Sequence, residues 1–140
     1  MSSLEERIFV MPADNYVVTK GGAIMEISRG KHSLRNNNAW AEQENDAILN
    51  PGMTSGNHYH LIKREIIWLM HGPLLVYFED IKTKEKLKIE LMNGQIITLP
   101  TEVAHAFHNP NNYSAFFTEK ASLAFNPNNP KNDVYPYQLT

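Results

Sequence analysis

At 140 residues and 16.0 kDa the chain has the size of one domain, long enough to bury roughly two thirds of its unfolded surface without a disulfide or metal. A formal charge of -2 and an isoelectric point near 6.3 leave no electrostatic footprint for nucleic acid. No apolar run approaches the roughly eighteen residues of a membrane helix, and the lack of cysteine excludes disulfides and thiolate chemistry. The N-terminal MSSLEERIFV is acidic where a secretory signal is basic, so a cytoplasmic protein with no membrane partner is expected.

In chain order the pattern is β almost throughout. NYVVTK and GGAIMEISRG are short runs with β-branched residues, and GKHSLRNNN reads as a loop because Asn tolerates turn conformations. AWAEQENDAIL alternates as a strand or two, and it is where a helical turn is expected if the chain has one. NPGMTSG is a loop, EIIWLM a strand, His71-Gly72-Pro73 a turn, and PLLVYFED a strong strand. DIKTKEK is a polar hairpin connection, and KLKIELM alternates as a strand with one solvated face should. Asn93-Gly94 is a strong hairpin signal, after which QIITLP runs to a stop at Pro100. EVAHAFHN, YSAFFTEK and ASLAF complete the strands, and the tail from Asn126 to Thr140, rich in Pro and Asn, should lie irregularly over the surface. With no long helix, repeat or linker, the expectation is one all-β domain over residues 1–140, a sandwich or barrel.

The stretch from Gly52 to Gly72, GMTSGNHYHLIKREIIWLMHG, carries the chemistry. Residues two apart on a strand share a face, so His58 and His60 present two imidazoles to one point while Tyr59 turns away. LIKR is short enough for a bend, after which EIIWLM would bring Glu65 alongside. Two imidazole nitrogens and a carboxylate oxygen suit a borderline divalent ion such as Fe, Mn, Ni, Cu or Zn. In a second stretch, Gly94 to Asn109, His105 follows the proline-terminated strand and can complete a three-His, one-Glu set with positions left open for substrate.

Written as patterns, these stretches are G-x5-H-x-H-x4-E-x6-G and G-x5-P-x-E-x2-H-x3-N. They resemble the two motifs of the cupin superfamily, in order and in spacing, with Glu102 where the family usually has glycine. The resemblance implies a double-stranded β-helix, the RmlC-like jelly roll, with a divalent metal (Zn, Fe, Mn or Ni) on His58, His60, Glu65 and His105 in the barrel mouth. It also implies a homodimer. GNHYHLIKREIIWLMHG further resembles the C-terminal cupin domain of capsular-polysaccharide nucleotide-sugar enzymes. The tail AFNPNNPKNDVYPY is similar to theirs, and, with Ala121-Ser122, Asp133 and Tyr135, to that of small sugar-nucleotide ketoisomerases.

These resemblances imply metal-assisted isomerisation or epimerisation beside the carbonyl of a nucleotide-linked sugar, with Tyr135 a candidate base. Iron-dependent dioxygenation fits the same ligand set, and so does a sugar- or metabolite-binding module without turnover. The remaining residues of note read as structural. His71 and His32 are expected to be exposed, and His108 to lie on the face opposite His105. Lys63 and Arg64 solvate the bend or reach a substrate phosphate. Tyr113, Phe116, Phe117 and Phe125 read as core or interface. Trp68 is expected between sheets or against a second subunit.

Overall fold

Alternating apolar and polar residues lay down strands whose inner faces meet as two sheets. The structure is a computed structural model that describes residues 2–12, 15–20, 22–26, 42–123, 128–129 and 132–139. The strands are β1 (Val10–Pro12), β2 (Asn15–Thr19), β3 (Gly22–Glu26), β4 (Gln43–Leu49), β5 (Thr54–Tyr59) and β6 (Glu65–His71). They continue as β7 (Leu74–Asp80), β8 (Lys86–Leu91), β9 (Gln95–Leu99), β10 (Val103–His108), β11 (Ala115–Ala121) and β12 (Tyr135–Pro136). One sheet runs β1-β9-β6-β11-β4 and the other β12-β5-β10-β7-β8, with β2 and β3 a separate hairpin. Every pairing among the described residues is antiparallel.

Ile67 and Leu69 of β6, Ile97 and Leu99 of β9, and Phe117 of β11 face Leu74, Val76 and Phe78 of β7 and Phe107 of β10 in one buried cluster. Each such side chain taken out of water contributes roughly 1.5–3 kcal/mol. The alternate positions of β6 point outward. There Ile66 and Trp68 pack with Ile96 and Met11, and the Lys120 ammonium sits 5.3 Å over the Trp68 ring. Trp68 is thus buried within its own chain on the outer face of a sheet, not between the sheets.

Two expectations are corrected. The turn at Asn93-Gly94 forms, but β8 and β9 do not pair as a hairpin: they belong to opposite sheets. A local turn signal fixes a reversal, whereas the burial of each strand's apolar face chooses its sheet. Among the described residues the short helix is α1 (Leu4–Arg7) at the N-terminus, and residues 43–49 of the stretch where a helical turn is expected form β4. Ser3 caps α1 by accepting from the Glu6 amide at 3.3 Å, Leu4 enters the core, and Arg7 pairs with Asp80. The loop expected at 30–38, with His32, and also Phe125 lie outside the described residues.

The corner after β10 is tied by Asn109, which is buried. Its side-chain amide donates to the carbonyls of Leu49 (2.9 Å) and Tyr113 (2.7 Å), and its Oδ1 accepts from the Asn111 amide (2.9 Å). Its main chain exchanges bonds with Gly52 and Met53, so the last residue of the second motif meets the first residue of the first.

Candidate functional site

The site starts from an irregularity in β5. Gly56 and Asn57 both have positive φ (95° and 57°), and the β5–β10 register shifts there, pairing Ala106 with Gly56 but His105 with His58. Asn57 is therefore the extra residue of a β-bulge, which re-aims the strand that follows it. A Cβ on Gly56 would lie 2.9 Å from the His105 carbonyl oxygen, so glycine lets β5 approach β10 closely. The bulge sets His58 directly across from His105, with ring centroids 4.8 Å apart, and His60 at 4.9 Å from His58.

Glu65 arrives from the opposite sheet, as the first residue of β6. The bend between, residues 61–64, is shaped by Asp133 of the tail, whose carboxylate accepts the amides of Leu61 (3.1 Å), Ile62 (2.9 Å) and Lys63 (2.6 Å). The Asp133 carbonyl lies 2.8 Å from His60 Nδ1. Glu102 takes the left-handed conformation (φ 62°) at the position where cupins favour glycine, and its amide donates to the His60 carbonyl at 2.7 Å.

The four side chains converge: one ligand atom from each of His58, His60, Glu65 and His105 lies within 4.8 Å of the others. His60, Glu65 and His105 are buried. Burial, and next the neighbouring His60, pushes His58 down to about 4; burial likewise pushes His105 down to about 3. Burial pulls Glu65 the other way, but the His60 ring nitrogen beside it and the His105 ring outweigh that and hold it at about 2. At neutral pH, His58 and His105 are thus neutral and Glu65 is ionised, the protonation states a metal requires of its ligands. His60 Nε2 lies 2.6 Å and His105 Nε2 3.7 Å from the same buried oxygen, Glu65 Oε1. Ring nitrogens and a carboxylate oxygen gathered on one point fit a divalent cation.

The ligand cluster lies in a pocket of about 220 Å³ whose apolar wall includes Ala47, Phe107 and Phe117. Two charged residues also line it, Lys63 and one with no role assigned from the sequence, Glu119. Glu119 of β11 is half-buried, accepts from the Asn45 side chain at 3.0 Å, and has its carboxyl pushed up by burial and by the Glu65 charge. Only strand parity marked it: Glu119 and Phe117 share the inner face of β11. Lys63 lines the pocket too, while Arg64 is exposed, its amide donating to Ser122 Oγ.

Tyr135 is not brought to the pocket. It pairs with Tyr59 across β12 and β5, and the two rings stack at 5.2 Å on the face turned away from the histidines. Its neighbour Val134 lines the pocket instead. His108 is bound to Thr54 Oγ1 at 2.9 Å outside the cluster, and His71 is exposed beside Tyr113.

A model of the family described as the polysaccharide biosynthesis C-terminal domain matches residues 18–134. No curated protein matches the chain. Among solved structures, the capsular polysaccharide assembling protein CapF from Staphylococcus aureus aligns at 24% identity and a TM-score of 0.63. The alignment covers 69% of this chain but 28% of CapF, so the chain spans little more than a quarter of that protein's length. The dTDP-6-deoxy-D-glucose-3,5-epimerase RmlC from Legionella pneumophila aligns at 15% identity and a TM-score of 0.67, over 91% of this chain and 73% of its own. QdtA from Thermoanaerobacterium thermosaccharolyticum, a sugar 3,4-ketoisomerase solved with TDP, aligns at 14% identity and a TM-score of 0.68, over 91% of this chain and 85% of its own. Together they show the fold to be the RmlC-like cupin jelly roll.

Proposed function

The chain belongs to the polysaccharide biosynthesis C-terminal domain family, and on that premise we propose that its pocket is the active site of a metal-assisted isomerase or epimerase working beside the carbonyl of a nucleotide-linked sugar. The observation that carries this reading is the meeting of His58, His60, Glu65 and His105 in one pocket with a separate carboxylate, Glu119. The epimerase RmlC and the ketoisomerase QdtA share the fold, which supports the substrate class.

In this reading His58, His60, Glu65 and His105 hold a divalent ion. Such an ion supplies Lewis-acid polarisation of a keto oxygen. The rest falls to the chain's own residues. Glu119, made more basic by burial and by the Glu65 charge, takes the proton from the carbon next to the carbonyl as that C–H pair moves toward the oxygen. Return of a proton to the other face of the same carbon gives epimerisation; its delivery to the carbonyl carbon, with the hydroxyl proton on the first carbon passing to the former keto oxygen so that a new carbonyl forms, gives isomerisation. Lys63 offers a cation to a phosphate at the pocket. About 220 Å³ is less than the roughly 300–1,000 Å³ of drug-sized ligand sites, so the pocket takes the sugar ring and leaves the nucleotide outside it. Ala47, Phe107 and Phe117 exclude water from one side of the ring.

The test is incubation with a panel of 4-keto nucleotide sugars in deuterated water, with zinc, manganese, nickel or iron added. Deuterium is expected at the carbon beside the carbonyl, and Glu119→Gln should slow its uptake by about 10²-fold or more. No uptake with any sugar and any metal would overturn the reading. Oxygen consumption by the iron-loaded protein in place of exchange would replace it with dioxygenation.

A further inference from the structure

We propose that Asp133 is a positioning residue for the pocket, fixing the tautomer of His60 through its carbonyl and the shape of the 61–63 bend through its carboxylate. The inference rests on the reading that His60 works through Nε2. A carbonyl oxygen can only accept, so the 2.8 Å contact to His60 Nδ1 puts the hydrogen on Nδ1 and, in the neutral ring, leaves the Nε2 lone pair bare toward Glu65. A ligand histidine tied in this way is held both in tautomer and in ring orientation.

The same residue sets the path from His60 to Glu65. Three successive amides, Leu61, Ile62 and Lys63, donate to its carboxylate, a small anion-binding nest made by the chain itself. Leu61 and Ile62 are exposed, at 44% and 68%, so core packing does not shape this bend and the carboxylate does. Lys63, whose side chain lines the pocket, is the third of those donors. Asp133 can do both jobs because it sits in the left-handed region (φ 56°), which Asp tolerates better than most residues. Immediately after it, β12 pairs with β5, and the Tyr137 amide donates to the Asn57 carbonyl at 2.8 Å, docking the strap on the bulge that aims His58.

The experiment compares wild type with Asp133→Ala and Asp133→Asn, first without metal. Long-range ¹H–¹⁵N correlation reads the His60 tautomer, amide exchange reads residues 61–63, and Co²⁺ titration then reads ligand competence. Wild type should show a single Nδ1–H tautomer. Asp133→Ala should show mixed tautomers, lose protection at the three amides, and bind Co²⁺ about 10–100-fold more weakly. Asp133→Asn keeps left-handed tolerance but turns an NH₂ toward a donor, so it should fall in between and still fold. If the variants keep one tautomer and protected amides, the proposal is overturned. A shifted tautomer in a protein whose wild type binds no Co²⁺ would support Asp133 and overturn the metal reading instead.

Discussion

The two cupin motifs build two buried polar clusters whose chemistry is opposite. At Asn109 the side-chain amide finds carbonyls, and Oδ1 finds the Asn111 donors, so a buried polar group is absorbed into structure. At the pocket, His60 Nε2, His105 Nε2 and Glu65 Oε1 are also buried but crowd on one another, at 2.6 and 3.7 Å, instead of binding the main chain. Taking three imidazoles and a carboxylate out of water costs free energy that folding alone gives no reason to spend. The contrast separates motif residues that hold the fold from motif residues that wait for a ligand.

Acid should break the comparison on the pocket side first. His58 and His105 are held near 4 and 3 in the fold, while in the unfolded chain they titrate near 6.5. The unfolded state therefore binds more protons as pH falls below 6.5, and stability declines through that window until the folded rings themselves titrate. Between pH 7 and 5 the pair should lose on the order of 3 kcal/mol, with His58 discounted for its remaining solvent contact. Urea unfolding of the metal-free protein at pH 7, 6 and 5 measures it. A midpoint that stays flat, or that falls equally in a His58→Gln, His105→Gln variant, would show that these rings are not the source.

The Asn109 side should respond to mutation instead of pH. Asn109→Ala takes their side-chain donor from the Leu49 and Tyr113 carbonyls and should cost about 2–3 kcal/mol in urea unfolding. Co²⁺ affinity of the folded variant should be unchanged. A loss of affinity matching the loss of stability would mean that the two clusters are one cooperative unit.

How much of this was legible follows the range of each interaction. Strand parity made the strands, the inward pair His58 and His60, and outward Tyr59 readable, because alternation is local. The spacing of the second motif selected His105 in the same way. What was hidden depends on pairings between distant segments. The separation of β8 and β9 is a choice of sheet that Asn93-Gly94 does not encode, and Trp68 is covered by Met11 and Ile96 from other strands. Tyr135 looked chemical from its place in the tail, yet the two-residue pairing of β12 with β5 turns it onto Tyr59. Glu119 and Asp133 matter through which strand or bend they face, a relation absent from their own neighbourhoods in sequence. The α1 cap was the exception: Ser3 followed three residues later by Glu6 is a readable helix start that the overall β pattern concealed.

The smallest expected effect separates the two regions most finely, because a left-handed glycine lies beside each cluster. Gly52, beside Asn109, has φ 70° and open space where a Cβ would go. Gly52→Ala should therefore cost only the backbone preference, about 1 kcal/mol, with the pocket untouched. Gly56 has φ 95°, and its added Cβ would meet the His105 carbonyl oxygen at 2.9 Å and the Ala106 Cα at 3.2 Å. Both are backbone atoms of the strand that carries a pocket histidine, so β5 and β10 must separate, and His58 moves away from His105. Gly56→Ala should cost only about 1 kcal/mol more than Gly52→Ala in thermal or urea unfolding, yet weaken Co²⁺ binding by about tenfold or more, a loss absent from Gly52→Ala. Equal Co²⁺ affinities in the two variants would show that the bulge shapes the strand without aiming the histidine.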